Sequence, residues 1–133
     1  VMSLELRDLS AEKIRSLFEE IQREARKIAN ETETNIAFSV IDAMAVPAPT
    51  DAGIRKNIAD SAEDLGLKTL FMPSGAGHDA QDMAKIAPTG MIFIPSVGGI
   101  SHSPKEFSRI EDITNGVNVL LHTILRIDAE NRP

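Results

Sequence analysis

Two different hydrophobic periods follow each other at the start of the chain. Residues 1–9 ("VMSLELRDL") alternate between apolar and polar, and this two-residue period predicts a half-buried β-strand. From about 11 to 31 the apolar residues recur every three or four positions, which predicts an amphipathic helix with Ser10 as its N-cap. The apolar segment 35–46 ("NIAFSVIDAMAV") predicts a second strand. Together these elements form a predicted β-α-β unit.

The second half of the sequence also alternates between predicted helices and strands. Asp51 to Leu65 has one apolar face and predicts a helix that ends at Gly66. The short apolar segments "KTLFMP" and "GMIFIP" are bounded by proline or glycine, as is typical of buried parallel strands. A short helix is predicted between them, within "HDAQDMAKIA". The last helix is predicted to begin at "SRIE", a capping-box pattern of Ser108 and Glu111.

This alternation predicts an α/β fold class. Two closely spaced prolines in "VPAPTD" disfavour both helix and sheet interiors, and they predict a domain boundary. We place the predicted domains at residues 1–47 and 48–133.

The composition of the chain argues against some classes of binding partner. The 133 residues are 42% hydrophobic, enough for a core, and the net charge of −6 with scattered Lys and Arg argues against nucleic acid. No apolar run is long enough to span a membrane, so no membrane partner is expected. The absence of cysteine excludes disulfides and thiolate metal sites, which fits a cytoplasmic protein.

Two loops carry histidines directly after predicted strand ends. His78 follows "PSGAG" and His102 follows "PSVGGIS". Ligands of α/β sheets collect at the carboxyl ends of strands, so we expect both histidines at the same edge of the sheet. The third, His122, lies within the last predicted helix and is interpreted as a packing or surface residue.

Several other polar residues have two interpretations. "SGAGHD" could hold an anion on backbone N–H groups, but it lacks the Gly-Lys-Ser/Thr of a phosphate-binding P-loop. Arg7 is either a solvated surface residue or a group that binds a carboxylate bidentately. Glu106 either supports the His102 loop or faces water. Asp79 and Asp82 are best interpreted as helix-dipole partners.

The segment from "MPSGAGHDAQDMAKIAPTG" through "IPSVGGISHSPKEF" to "NGVNVLL" resembles one group of metal-dependent amidohydrolases. This group contains N-carbamoyl-L-amino acid hydrolases, β-ureidopropionases and allantoate amidohydrolases, within the aminoacylase/carboxypeptidase-like metallopeptidase superfamily. "SLELRDLSAEKI" resembles the group's smaller lid or dimerisation domain. The resemblance implies that residues 1–47 form the β-α-β half of a ferredoxin-like lid. It also implies that residues 48–133 form the C-terminal α/β part of a zinc-peptidase-like catalytic domain.

The resemblance assigns roles to four residues. His102 matches a ligand of one of two divalent metal ions, zinc or manganese. His78 matches a catalytic histidine that contacts substrate and stabilises the oxyanion, and Gly77 beside it matches a substrate-binding position. Arg7 matches an arginine that holds the substrate's carboxylate, reaching in from the partner subunit of a homodimer. The implied reaction is attack of metal-activated water on a carbamoyl or amide carbon.

The resemblance also implies that the general base and most metal ligands lie outside these residues. We therefore expect the sequence to be part of a longer protein. On their own, these residues are expected to be inactive and need not bind a metal. A non-catalytic chain that acts only through dimerisation is the alternative, and an anion-binding module is a weaker one. The sequence leaves open the metal and the choice among carbamoyl amino acids, ureidopropionate and allantoate.

Overall fold

A computed structural model describes residues 1–41 and 46–132. Helix α1 spans Ala11–Thr32, α2 spans Ala52–Asp64, α3 spans Ala80–Met83, and α4 spans Ile110–Glu130. A single 3₁₀ turn lies at Val97–Gly99. The predicted helices are thus confirmed, with ends that differ from the predicted ones by a few residues. No helix in the described ranges is long and apolar enough to cross a membrane.

Local capping explains where the first two long helices begin and end. The Ser10 hydroxyl accepts a hydrogen bond from the Lys13 backbone N–H at 3.3 Å. The Asp51 carboxylate accepts one from the Ile54 N–H at 2.8 Å. Helix α2 ends in a Schellman motif, in which Leu67 N–H bonds to the Ala62 carbonyl and Gly66 N–H to the Glu63 carbonyl, both at 2.8 Å. Gly66 adopts φ +70°, a left-handed conformation that favours glycine.

The predicted capping box of α4 is wrong. Its N-cap is Arg109, and no side chain caps the first turn. Ser108 lies one residue before the N-cap, so its hydroxyl is out of register with the helix N–H groups that a cap must reach. Glu111 and Asp112 in the first turn compensate the positive end of the helix dipole instead.

Within residues 1–41 and 46–132 no segment is assigned as a strand. The described residues of the four predicted strands therefore form no hydrogen-bond ladder with a neighbouring strand. Residues 42–45 of the second predicted strand lie outside the described residues. A strand requires a neighbour that accepts and donates its backbone hydrogen bonds. Apolar side chains on these segments are also uncovered, with Leu70 81% and Phe71 65% exposed. The helices are those of an α/β-type chain, whereas the β-α-β prediction is unconfirmed.

Backbone contacts divide the chain into two compact units. The first comprises Val1–Pro49 and Pro73–Lys85. It contains α1 and α3, and the rings of Phe18 and Phe38 meet edge to face with centroids 5.7 Å apart. The first segment of this unit ends close to the predicted domain boundary, but the unit also contains the later segment around α3. The predicted boundary near residue 47 therefore stays a prediction.

The second unit comprises Thr50–Met72 and Ile86–Pro133, in which α2 packs against α4. The contact buries small residues from both helices: Asn57, Ser61, Ala62, Val119 and Thr123. Asn57 donates to the Glu130 carboxylate at 2.9 Å, and Arg126 pairs with Asp64. Two polar pairs near the C-terminal end of α4 therefore link it to α2.

Candidate functional site

The loop before α3 holds the His78 ring through its own residues. The Ser74 hydroxyl oxygen lies 2.7 Å from His78 Nε2, and His78 itself is half-buried. The same hydroxyl accepts a hydrogen bond from the Ala76 backbone N–H at 3.3 Å. When Ser74 donates its proton to Nε2, the neutral imidazole carries its own proton on Nδ1. Ser74 can thus select which ring nitrogen of His78 donates.

Gln81 anchors the backbone of the same loop. Its side-chain oxygen accepts the His78 N–H at 3.1 Å, and its side-chain nitrogen donates to the Val46 carbonyl at 3.1 Å. Gln81 is not among the site residues predicted from the sequence. A glutamine in the first turn of a helix can reach back to a preceding N–H, as in a capping box, and this was the available signal.

Arg7 also contacts the loop that holds His78. Its Nη1 donates to the Gly75 carbonyl at 2.9 Å, which joins residues that are 68 positions apart. Its Nε and Nη2 approach one oxygen of Glu5, at 2.7 and 2.5 Å. Gly77 lies between Gly75 and His78 in the same loop. The fold therefore brings Arg7 next to the "GAGH" segment that contains two of the other predicted site residues.

His102 lies in a second loop, where its backbone adopts an unusual conformation. Its φ is +54°, a value that costs energy for any residue with a Cβ atom. The Glu106 carboxylate accepts the His102 N–H at 2.8 Å, and Glu106 N–H donates to the Ser103 carbonyl at 2.9 Å. Of the two interpretations of Glu106, support of the loop is the one the contacts favour. The imidazole of His102 is exposed.

His78 belongs to the first compact unit and His102 to the second. Their expected position at one edge of a sheet stays a prediction. His122 is exposed on α4, in agreement with its interpretation as a surface residue. Asp82 pairs with Lys85 at 2.7 Å, and Asp79 is the N-cap residue of α3 without a side-chain capping bond.

The described residues do not by themselves provide a metal centre. No group of three or more His, Asp or Glu side chains in ranges 1–41 and 46–132 could hold a metal ion. Catalytic zinc usually takes three protein ligands and a water. His102 offers a single exposed imidazole, so the described residues do not form a complete site.

Comparison with known proteins identifies relatives over most of the chain. The family model of peptidase family M20/M25/M40 matches residues 10–126. Ureidoglycolate hydrolase of Arabidopsis thaliana is 35% identical over 129 residues, which is 97% of this chain and 27% of that protein. N-carbamoyl-L-amino acid amidohydrolase of Geobacillus stearothermophilus is 36% identical over 124 residues, 93% of this chain and 30% of that protein.

A solved structure shows the same likeness. The crystal structure of AtUAH in complex with glyoxylate superposes with a TM-score of 0.74 and 37% identity. The match covers 90% of this chain and 28% of that one. The chain therefore spans less than a third of the length of these relatives. The amidohydrolase resemblance seen in the sequence is confirmed.

Proposed function

The chain belongs to peptidase family M20/M25/M40, and from this membership we propose that it supplies substrate- and metal-binding residues to an amidohydrolase. The substrate would be a carbamoyl or ureido acid, cleaved at a linear amide C–N bond. The named relatives act on ureidoglycolate and N-carbamoyl amino acids. Molecules of this class carry both a carboxylate and a carbamoyl carbon. A site that binds them therefore needs one protein group that holds the carboxylate and another that acts at the carbamoyl end.

The observation that carries the proposal is the contact of Arg7 with the loop that holds His78. This contact lies within one chain, so the proposal has Arg7 serve its own subunit's site, not a partner's as the resemblance implies. The guanidinium donates to Gly75, three residues before His78. A guanidinium presents paired N–H donors that match a carboxylate. An acid bound to Arg7 would have its amide end close to this loop.

His78 is proposed to donate a hydrogen bond to the amide oxygen, on which negative charge develops during the reaction. The Ser74 contact orients the ring, and Gln81 fixes the backbone beneath it. Gly77 is the proposed position at which substrate approaches the backbone closely. One positioned donor is worth about 3 kcal/mol of transition-state stabilisation in other enzymes.

His102 is proposed as one ligand of a divalent metal, zinc or manganese. Enzymes of this family generally use divalent metals. When bound, such ions supply Lewis acidity toward water and the amide group. The described residues contribute one ligand, so the others and the general base would come from elsewhere in the protein. Glu106 holds the His102 backbone in the conformation from which the imidazole projects.

We also propose the finer architecture that the resemblance implies. The first residues, to about 47, would form half of a ferredoxin-like lid, and the rest would close the catalytic domain. Their extended apolar segments would pair with further strands, which would cover side chains such as Leu70 and Phe71. The protein would be a cytoplasmic homodimer, and light scattering of the complete native protein tests that assembly.

Steady-state kinetics of the complete native protein test the proposed function. N-carbamoylglycine and its uncharged amide, N-carbamoylglycinamide, differ only in the carboxylate. Arg7→Ala should raise KM for the acid about 10- to 100-fold, the value of a hydrogen-bonded charge, and change KM for the amide little. Arg15→Ala on α1 is the matched control. Equal effects of Arg7→Ala on both substrates would contradict the role of Arg7.

A further inference from the structure

We propose that Glu5 is a specificity-determining residue, which occupies Arg7 in the free protein and must be displaced by the substrate's carboxylate. The proposal rests on the proposed function of Arg7 as the carboxylate-binding group. Substrate binding would then be an exchange of one carboxylate for another on the same guanidinium.

Glu5 occupies two donors of the Arg7 guanidinium with a single carboxylate oxygen. Nε and Nη2 of Arg7 both approach Glu5 Oε1, at 2.7 and 2.5 Å. These two donors form the edge of the guanidinium that binds a carboxylate side-on. Glu5 and Arg7 are only two positions apart, and their contact brings the two side chains together. The chain's own carboxylate thus takes the place that a substrate acid would take.

The third contact of Arg7 keeps the guanidinium in place during such an exchange. Nη1 donates to the Gly75 carbonyl at 2.9 Å, and this bond does not involve Glu5. Arg7 can therefore release Glu5 and remain beside the loop of His78. The carbonyl is neutral and adds no repulsion toward an incoming anion.

Exposure makes the Glu5–Arg7 pair easy to displace. The side chains are 57% exposed for Arg7 and 70% exposed for Glu5. Exposed ion pairs are weak because water competes with them. Glu5 would therefore lower the affinity for a carboxylate without preventing binding. Its negative charge would also disfavour ligands that carry a second anionic group near Arg7.

The test is the affinity of the complete native protein for glyoxylate, measured by titration calorimetry. Glu5→Gln keeps the size of the side chain and removes its charge. We expect this variant to bind glyoxylate about two- to fivefold more tightly, the usual range for an exposed pair. The affinity for glycolamide, a neutral molecule of similar size, should not change. Glu19→Gln on α1 makes the same change of charge away from Arg7 and should behave as wild type.

The variants separate failure of this inference from failure of the proposed function. Arg7→Ala should weaken glyoxylate binding at least tenfold, and an unchanged affinity would overturn the role of Arg7 itself. When Arg7→Ala weakens binding but Glu5→Gln leaves it equal or weaker, Glu5 positions Arg7 and does not compete, and the exchange is refuted. A gain shared by Glu19→Gln would indicate a general charge effect and would also refute it.

Discussion

Removal of the Glu106 side chain should weaken metal binding without touching the proposed ligand. The Glu106 carboxylate accepts the His102 N–H at 2.8 Å and holds a residue whose φ is +54°. Glu106→Ala would remove this hydrogen bond, which offsets a left-handed conformation that costs about 1–2 kcal/mol for a residue with a Cβ atom. The loop would relax, and the imidazole would leave the position from which it projects.

The size of the effect follows from the bond. A hydrogen bond to a charged acceptor contributes about 1.5–3 kcal/mol, and exposure of both residues favours the lower end. That value corresponds to about a tenfold loss of affinity, within the 10- to 100-fold range typical of groups that orient metal ligands. Glu106→Gln keeps an acceptor of similar length but no charge, so it should lose less.

Competition with a chromogenic chelator measures the affinity of the complete native protein for zinc or manganese. Glu111→Ala in the first turn of α4 removes a nearby carboxylate that makes no bond to His102, and it serves as the control. If Glu106→Ala binds metal within twofold of wild type, while His102→Ala binds far more weakly, the loop does not need Glu106 and the inference is wrong.

Three further changes follow from single contacts. Gly66→Ala should lower the free energy of unfolding by about 1 kcal/mol, because φ is +70° there; chemical denaturation measures it. Ser74→Ala removes the hydroxyl that contacts the His78 ring and should lower kcat with little change in melting temperature; a fall in melting temperature that accounts for the lost activity would refute it. The Lys56 hydrogen bond, aided by the charges of Lys56 and Arg126 and opposed by burial, lowers the pKa of Asp60 below its ordinary 3.8. The unfolded chain therefore binds more protons, so this stabilisation is present above pH 3.8 and is lost as pH falls through the lowered pKa. Unfolding of Asp60→Asn at several pH values should show a weaker acid dependence than wild type, and an unchanged one would contradict the assignment.

Helices were predictable because their signals are local. The three- and four-residue period of α1 and the caps at Ser10 and Asp51 lie within a few positions of the bonds they form. The capping box at Ser108 misled by one residue, because the helix begins one position later, with Arg109 as its N-cap. Strands depend on partners distant in sequence, and an apolar period alone does not supply them.

The candidate site likewise combines residues that the sequence reveals with contacts that it does not. Arg7, His78 and His102 stand in motifs that can be read from the sequence. The supporting contacts of Glu5 and Gln81 depend on how loops bend, and their residue types alone do not distinguish them from solvated surface residues. The positive φ of His102, which gives Glu106 its role, could not be predicted either, because non-glycine residues rarely adopt such a conformation.

The most direct test of the proposed function is the metal content of the complete native protein with and without the His102 imidazole. Elemental analysis should find about two divalent ions per subunit in wild type and a loss of at least one in His102→Ala, as expected when one ligand of a dinuclear site is removed. His122→Ala, on the exposed face of α4, should retain the wild-type content. Wild-type metal content and hydrolysis in His102→Ala would contradict the assignment of His102 as a ligand.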